Sequence, residues 1–183
     1  AYWQVVSQKN ENGNFIYVLK ENSSGTIRNS EFVSNSMDLI GNDTVQTDLP
    51  EIQKIANNIK IQVYGNLSKA QLILKYLKEN YKYDYDMLSD GTIRPLTTRE
   101  ALDRKKGVCQ HYAVLFAAIA RATGVPTRII TGYYLQDKSI GMHAWNEIEI
   151  EPGVWKVVEP QRADFLAAGD LRNYIPLNRA FYL

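Results

Sequence analysis

Residues 107–124 of the chain read GVCQHYAVLFAAIARATG and contain its single cysteine, Cys109. The stretch is apolar over most of its length, and glycine commonly follows the last residue of a helix. It therefore predicts a buried helix that begins at Cys109 and is stopped by Gly124. The small and apolar residues that recur on one face of this helix are Cys109, Ala113, Phe116, Ala117 and Ala120.

The position of Cys109 favours a reactive thiolate. A helix N-terminus carries roughly half a positive charge and backbone N–H groups without intrahelical partners, and both stabilise an anion. The N–H of Cys109 itself is expected to point to where an oxyanion would form. We expect Gly107 to give the preceding loop its freedom. The alternative is a buried cysteine with a purely structural role.

A strand and a hairpin are predicted further along the chain. Residues 143–150 (HAWNEIEI) alternate as a strand that starts at His143. Residues 151–153 (EPG) have the composition of a turn, and residues 154–158 (VWKVV) form a second β-rich run. Folding the chain about this turn brings Glu159 within about two residues of His143 in register, because residues equidistant from a hairpin turn face each other.

Cys109, His143 and Glu159 are therefore the candidate catalytic residues, as nucleophile, base and orienting acid. We expect Glu159 to accept the Nδ1 proton of His143, which leaves Nε2 for the thiol. The alternative is an ordinary surface His–Glu pair on a hairpin. His111 lies two helix positions from Cys109, about 200° around the axis, and is predicted to point away from the thiol on the outer side of the helix.

Further motifs occur in order over roughly the second half of the chain. They are residues 67–68 (LS), 81–84 (YKYD), 101–109 (ALDRKKGVC), 121–128 (RATGVPTR), 132–133 (GY), 143–147 (HAWNE) and 155–160 (WKVVEP). Together they resemble the transglutaminase-like superfamily of cysteine enzymes, which shares a papain-like nucleophile, base and acid. That family usually has aspartate before the proline of the last motif, where this chain has Glu159. Glutamate offers the same acceptor oxygens on a longer stem, and Asp164 is the nearest substitute.

The resemblance implies an α+β fold of the papain and transglutaminase type, with helices packed on an antiparallel sheet and the nucleophile at a helix N-terminus. It implies thiol-dependent acyl transfer or hydrolysis at protein or peptide amide bonds through a thioester. We expect a cysteine hydrolase or protease, with a true transglutaminase or a deamidase as alternatives. A catalytically silent binding module is the alternative of another class. Tyr83 or Tyr85 would supply a side-chain donor to the oxyanion, unless both only pack in the core.

The chain is expected to form one domain over residues 1–183, with a β-rich extension over residues 1–47 and a catalytic core over residues 48–183. In the extension, turn residues at 12–13 and 23–25 between β-rich runs predict a small β-meander. This meander either continues the core sheet or forms a separate binding edge.

Three helices of the core have predicted start signals. Pro50 is predicted to open the first helix, and the capping-box sequences Ser68–Gln71 and Thr97–Glu100 to open two more.

Composition narrows the partners. With 21 Lys and Arg against 20 Asp and Glu, the chain has no basic run dense enough to follow a phosphate backbone, so no nucleic acid is expected. No apolar stretch reaches the roughly 18 residues of a membrane span, so no membrane is expected. A protein or peptide is the expected substrate, with no cofactor and no metal. The first residues lack an initiating methionine and fit a trimmed product, which favours a secreted or periplasmic origin.

Overall fold

The computed structural model describes residues 2–11, 14–22, 26–28, 36–89, 91–136, 139–167 and 169–180. The helices are α1 (Pro50–Gln62), α2 (Asn66–Asn80), α3 (Tyr85–Ser89), α4 (Thr98–Arg104) and α5 (Cys109–Ala122), with 3₁₀ turns at Ser36–Asp38 and Asp170–Asn173. The strands are β1 (Tyr2–Glu11), β2 (Asn14–Asn22), β3 (Thr26–Arg28), β4 (Lys82–Tyr83), β5 (Lys106–Gly107), β6 (Thr127–Gln136), β7 (Ser139–Glu151), β8 (Val154–Glu159), β9 (Asp164–Phe165) and β10 (Tyr174–Ala180).

Helix α5 is the centre of the core, as its apolar sequence predicts. Its residues from His111 to Arg121 are all buried, and it packs against α1, α2 and α4 on one side and against β6 and β7 on the other. The predicted ends are confirmed: the helix begins at Cys109, and Gly124 follows its C-terminus with φ of 81°. A left-handed backbone of this kind suits glycine because it has no Cβ.

Two of the three predicted helix starts are confirmed. Pro50 is the first residue of α1, and Thr97 and Glu100 form a reciprocal capping box at α4. The capping box at Ser68 is wrong, because α2 already begins at Asn66. Gly65, with φ of 80°, makes the turn into this helix and sets its start ahead of Ser68.

The main sheet is antiparallel in every pairing, in the order β10-β6-β7-β8-β3 with β9 added on β8. Helix α5 covers one face of the sheet. A second, smaller apolar cluster, which includes Trp145 and Tyr174, is separate from the core cluster that contains α5. Helices packed on an antiparallel sheet confirm the α+β class.

For the β-rich extension, the sequence left two alternatives: it continues the core sheet, or it forms a separate edge. Its strands are divided between the two. Strand β3 pairs with β8 and so continues the core sheet, whereas β1 and β2 form a two-stranded sheet of their own. The predicted turns at residues 12–13 and 23–25 lie outside the described residues. The domain boundary at residue 47 stays a prediction.

The β7–β8 hairpin turns at residues 152–153, as predicted. The predicted start of the strand at His143 is wrong, because β7 begins at Ser139, where residues 139–142 pair with the end of β6. Each helix that the structure describes lacks either the length or the apolar character needed to cross a bilayer.

Candidate active site

Cys109, His143 and Glu159 lie together, although they come from a helix and two strands. Nε2 of His143 lies 2.6 Å from Oε2 of Glu159. The register pairs Asn146 with Val158, which sets Glu159 diagonally across from His143 as the hairpin predicts. The side chains of Cys109 and His143 line the same cavity. Glu159 is fully buried, and the side chain of His143 is 14% exposed.

The imidazole ring has the opposite orientation to the predicted one. We expected Nδ1 to face the carboxylate and Nε2 the thiol, but Nε2 is the atom bonded to Glu159, which leaves Nδ1 for Cys109. A glutamate side chain on the neighbouring strand reaches the outer ring nitrogen. Hairpin register decides that the two residues meet, but not which nitrogen they share.

The electrostatics of this pair favour a charged imidazole. Burial disfavours the imidazolium, but hydrogen bonds to Cys109 and Glu159 and the charges of both groups outweigh burial and raise the pKa of His143 to about 9. His143 therefore holds a proton at neutral pH.

Glu159 has further partners that sequence reasoning missed. The hydroxyl of Tyr174 donates to Oε2 of Glu159 at 3.0 Å, and the backbone N–H of Gln161 donates to Oε1 at 3.2 Å. Arg162 lines the same cavity as Tyr174 and His143. Arg162 and Tyr174 follow the last recognisable motif, so no local pattern connects them with the site. Burial and the charge of Glu159 raise the pKa of Tyr174, so it remains a neutral donor.

Asp164, the substitute considered for Glu159, does not take its place. It lies opposite Glu159 in the β8–β9 pair, is exposed, and accepts the backbone N–H of Phe165 at 2.8 Å. The imidazole of His143 is bonded to Glu159 instead. The geometry therefore favours Glu159 as the orienting carboxylate.

The loop before Cys109 is held by a buried carboxylate on the preceding motif. Asp84 is buried, and its two oxygens bond Lys106 and Arg104, each at 3.1 Å. Its backbone N–H also donates to the carbonyl of Gly107 at 3.0 Å. Burial raises the pKa of Asp84, but hydrogen bonds from Lys106, the Met87 N–H and Arg104 outweigh it and lower the pKa overall.

His111 is buried, so its predicted place on the outer side of α5 is wrong. Its Nδ1 accepts the N–H of Val108 at 3.0 Å, and Nε2 lies 2.8 Å from the carbonyl oxygen of Arg94. These partners require a neutral ring with the proton on Nε2. Burial lowers the pKa of His111, which agrees with that form. The loop that carries Arg94 covers what would otherwise be an exposed helix face.

Gly107 is needed for space rather than for freedom of the loop. A Cβ at this position would lie 2.5 Å from the Tyr81 hydroxyl and 2.6 Å from Nδ1 of His111. Such distances force a neighbour to shift. Gly107 is not among the glycines with positive φ, whereas the left-handed turn falls at Lys105, with φ of 53°.

The two candidate oxyanion donors are separated by the structure. Tyr83 is partly buried and lines the cavity beside Cys109, whereas Tyr85 is 72% exposed. Burial raises the pKa of Tyr83, and the charge of Cys109 raises it further, so the phenol keeps its proton. Among the residues that the structure describes, no group of three His, Cys, Asp or Glu side chains is arranged to hold a metal ion.

The family of the chain follows from comparison with known proteins. The family model described as the Transglutaminase-like superfamily matches residues 53–160, more than half of the 183 residues. The chain belongs to this superfamily. Its protein-glutamine gamma-glutamyltransferase relative from Pseudomonas aeruginosa is 34% identical over 68 residues, which cover 32% of this chain and 10% of that protein. The chain thus spans about a tenth of the length of this curated relative.

Two solved structures share the fold. A protein described as a "Putative Cysteine Protease" from Cytophaga hutchinsonii superimposes with a TM-score of 0.64 at 22% identity, covering 83% of this chain and 52% of that one. The periplasmic domain of TgpA from Pseudomonas aeruginosa superimposes with a TM-score of 0.52 at 20% identity, covering 69% of this chain and 46% of that one.

Proposed function

We propose that this chain is a cysteine hydrolase that cleaves amide bonds of proteins or peptides through Cys109, His143 and Glu159. The observation that carries the proposal is the imidazole of His143, which is bonded to the buried carboxylate of Glu159 and lines the same cavity as the thiol of Cys109. The raised pKa of His143 supports an imidazolium that holds the thiol as thiolate.

In the first half of the reaction, the Cys109 thiolate attacks the amide carbonyl and a C–S bond forms. The carbonyl oxygen becomes an oxyanion, which the Cys109 N–H and the Tyr83 hydroxyl would stabilise. The tetrahedral adduct then collapses, the C–N bond breaks, and His143 gives its Nδ1 proton to the departing amine. A thioester and a neutral imidazole remain.

In the second half, His143 takes a proton from water, and the resulting hydroxide attacks the thioester. The C–S bond breaks, a carboxylic acid leaves, and the thiolate–imidazolium pair is restored. Glu159 accepts the Nε2 proton of His143 throughout, so it holds the ring in position and offsets its positive charge. Tyr174 and Gln161 hold the carboxylate in turn.

Hydrolysis requires that water reaches the thioester. Cys109 is partly exposed, and Met142, on the rim of the cavity beside it, is 64% exposed. An open site of this kind favours water as acceptor. The second candidate is amine transfer, as in a transglutaminase, and the name of the Pseudomonas aeruginosa relative favours it.

Mass spectrometry of casein incubated with the protein, with and without a primary amine, tests the proposal. Hydrolysis predicts new peptide termini that do not depend on the amine. Transfer predicts addition of the amine mass to glutamine residues, and deamidation predicts loss of ammonia without chain cleavage. Cys109→Ala is the control and should abolish whichever product forms. An unchanged substrate in every arm would contradict the proposal and favour a binding module.

A further inference from the structure

One cavity lies directly beside Cys109 and His143. Its walls are mostly apolar, and the polar side chains among them are Thr44, Tyr83, Gln110, His111 and Thr131. It has a volume of about 270 Å³. Among the described residues that line it, there is no Asp, Glu, Lys or Arg. We call it the acyl pocket, and its apolar walls include Leu88, Ile93, Leu96, Val114, Ile129 and Met142.

The acyl pocket is built in advance of any ligand. One wall is the loop between α3 and α4, whose Arg94 carbonyl oxygen is held by Nε2 of His111 at 2.8 Å and by Nε2 of Gln110 at 2.9 Å. The Arg94 side chain is tied to Glu100 at 3.0 Å. The opposite wall comes from β6 and β7, which are paired along their length. A preformed pocket binds without first ordering its walls.

The rim of the acyl pocket is also apolar, and its side chains are exposed to solvent. Leu88 is 49% exposed, Ile93 is 44% exposed and Met142 is 64% exposed, although all three line the pocket. Large apolar side chains that surround a concave site in this way are typical of a surface that a ligand covers.

The arginine side chain near His143 lies outside the acyl pocket. A second cavity of about 380 Å³ is lined by His143 together with Gln161, Arg162, Tyr134 and Tyr174, and Cys109 is not among its lining residues. The only guanidinium among the described residues lining these two cavities is therefore in the one that lacks the nucleophile. Among the lining residues that the structure describes, His143 is the one that carries charge, and it is already bonded to Glu159, so a charged substrate side chain would find no free counter-ion there.

We infer that the acyl donor of this protein carries an uncharged apolar side chain, branched aliphatic or aromatic, next to the attacked carbonyl, and that this side chain fills the acyl pocket. The inference rests on the proposed function, because it assigns the substrate class of the same nucleophile. A substrate whose side chain brings an unpaired charge into this pocket should react at least roughly tenfold more slowly than an uncharged one of the same size.

Alkylation of Cys109 by matched probes tests this inference without requiring turnover. The probes are N-benzyl iodoacetamide and N-(4-carboxybenzyl) iodoacetamide, and iodoacetamide is the reference compound. The alkylation rate of Cys109 with each probe is divided by the rate of the same probe with glutathione, which corrects for intrinsic reactivity. We expect the benzyl probe to react at least about tenfold faster than the carboxybenzyl probe. Equal rates would overturn the inference. Slow reaction with iodoacetamide would contradict the proposed function, while the probe ratio would still report on the pocket.

Two lysine variants on β7 locate the effect. Met142→Lys places an ammonium at the rim of the acyl pocket and should move the probe ratio about tenfold toward the carboxylate. Ile140→Lys carries the same charge on the same strand, and Ile140 is 61% exposed and does not line the pocket. It should change the ratio less than about twofold, because solvent screens its charge. Equal shifts in both variants would overturn the assignment of the acyl pocket.

Discussion

The two histidines of this chain lie in two regions that treat the same side chain in opposite ways. On the β7–β8 hairpin, His143 meets a buried carboxylate and a thiol, and its pKa is raised to about 9. In the first turn of α5, His111 meets a backbone N–H and a backbone carbonyl, and burial lowers its pKa. The partners of each ring, rather than its distance in sequence from Cys109, decide its charge.

The comparison assigns the two histidines different tasks: His143 belongs to the proposed reaction, and His111 holds the backbone around the start of α5. His111 is only two residues from Cys109, yet both of its nitrogens are occupied by the backbone that shapes the loop and the helix start. His143 is 34 positions away in sequence (143 minus 109), and it is the ring whose pKa the thiol of Cys109 helps to raise. We therefore expect substitutions in the two regions to affect different measurements.

The largest effect is expected from replacing each histidine by glutamine. His143→Gln should lower kcat/KM by at least roughly 10³-fold, because it removes the group that exchanges protons, and at neutral pH it also removes the charge that stabilises the buried Glu159. His111→Gln should lower turnover less than about tenfold but destabilise the fold by about 1–3 kcal/mol, because buried backbone groups lose a partner. Activity assays and urea unfolding of both variants check this. Equal losses of activity would contradict the separation.

A smaller effect is expected at the carboxylate. Glu159→Gln should lower turnover roughly 10²-fold and shift the alkaline limb of the pH–rate profile to lower pH, because the charge that raises the pKa of His143 is lost. The matched control is Asp164→Asn, which should stay within about twofold of the parent because Asp164 is exposed and accepts the backbone N–H of Phe165 in its own strand. A reversed pair of results would transfer the role to Asp164.

The same pair makes a prediction about stability. The pKa of His143 is raised from 6.5 to about 9, so its charged form stabilises the fold fully below about pH 6.5. That contribution is lost as the pH rises through about 9. Thermal unfolding between these pH values should show the loss in the parent and a much weaker one in Glu159→Gln. Parallel curves would mean that the pair is not coupled to folding.

In the region around His111, Gly107→Ala should destabilise the fold by about 1–3 kcal/mol, because the added Cβ meets Tyr81 and His111. Turnover should fall about tenfold as the start of α5 shifts. The control is Gly141→Ala, because a Cβ there meets nothing within 4 Å. If both variants unfold alike, close packing at Gly107 is not what requires glycine.

The smallest effect is expected at Tyr174. Tyr174→Phe removes the hydroxyl that donates to Glu159 and should lower turnover a few-fold, at a cost of about 1–2 kcal/mol in stability. The carboxylate then shares its charge with one donor fewer, so the alkaline limb of the pH–rate profile should move to higher pH, opposite to Glu159→Gln. A loss of stability without any shift of that limb would reduce Tyr174 to a packing residue.

The sequence predicted those parts of the site that depend on local pattern. Helix α5 followed from its apolar residues and Gly124, and the meeting of His143 with Glu159 followed from hairpin register. The orientation of the imidazole did not follow, because register fixes strands and not ring rotation.

Contacts between distant segments were also beyond reach. The carbonyl of Arg94 meets His111 across a loop, and Tyr174 reaches Glu159 from the last strand. Neither contact has a period or a motif that marks it. The expectation that Gly107 gives the loop its freedom is wrong for the same reason, since the side chains that crowd it come from Tyr81 and His111.

The most direct test of the account is the rate of iodoacetamide alkylation of Cys109 as a function of pH. A thiolate held by the His143 imidazolium predicts a rate that changes less than about threefold between about pH 6 and pH 8. In His143→Gln the rate should instead rise about tenfold per pH unit, as it does for a free thiol below its pKa of about 8.5. A parent protein that follows the free-thiol curve, or that reacts only after unfolding, would contradict the account.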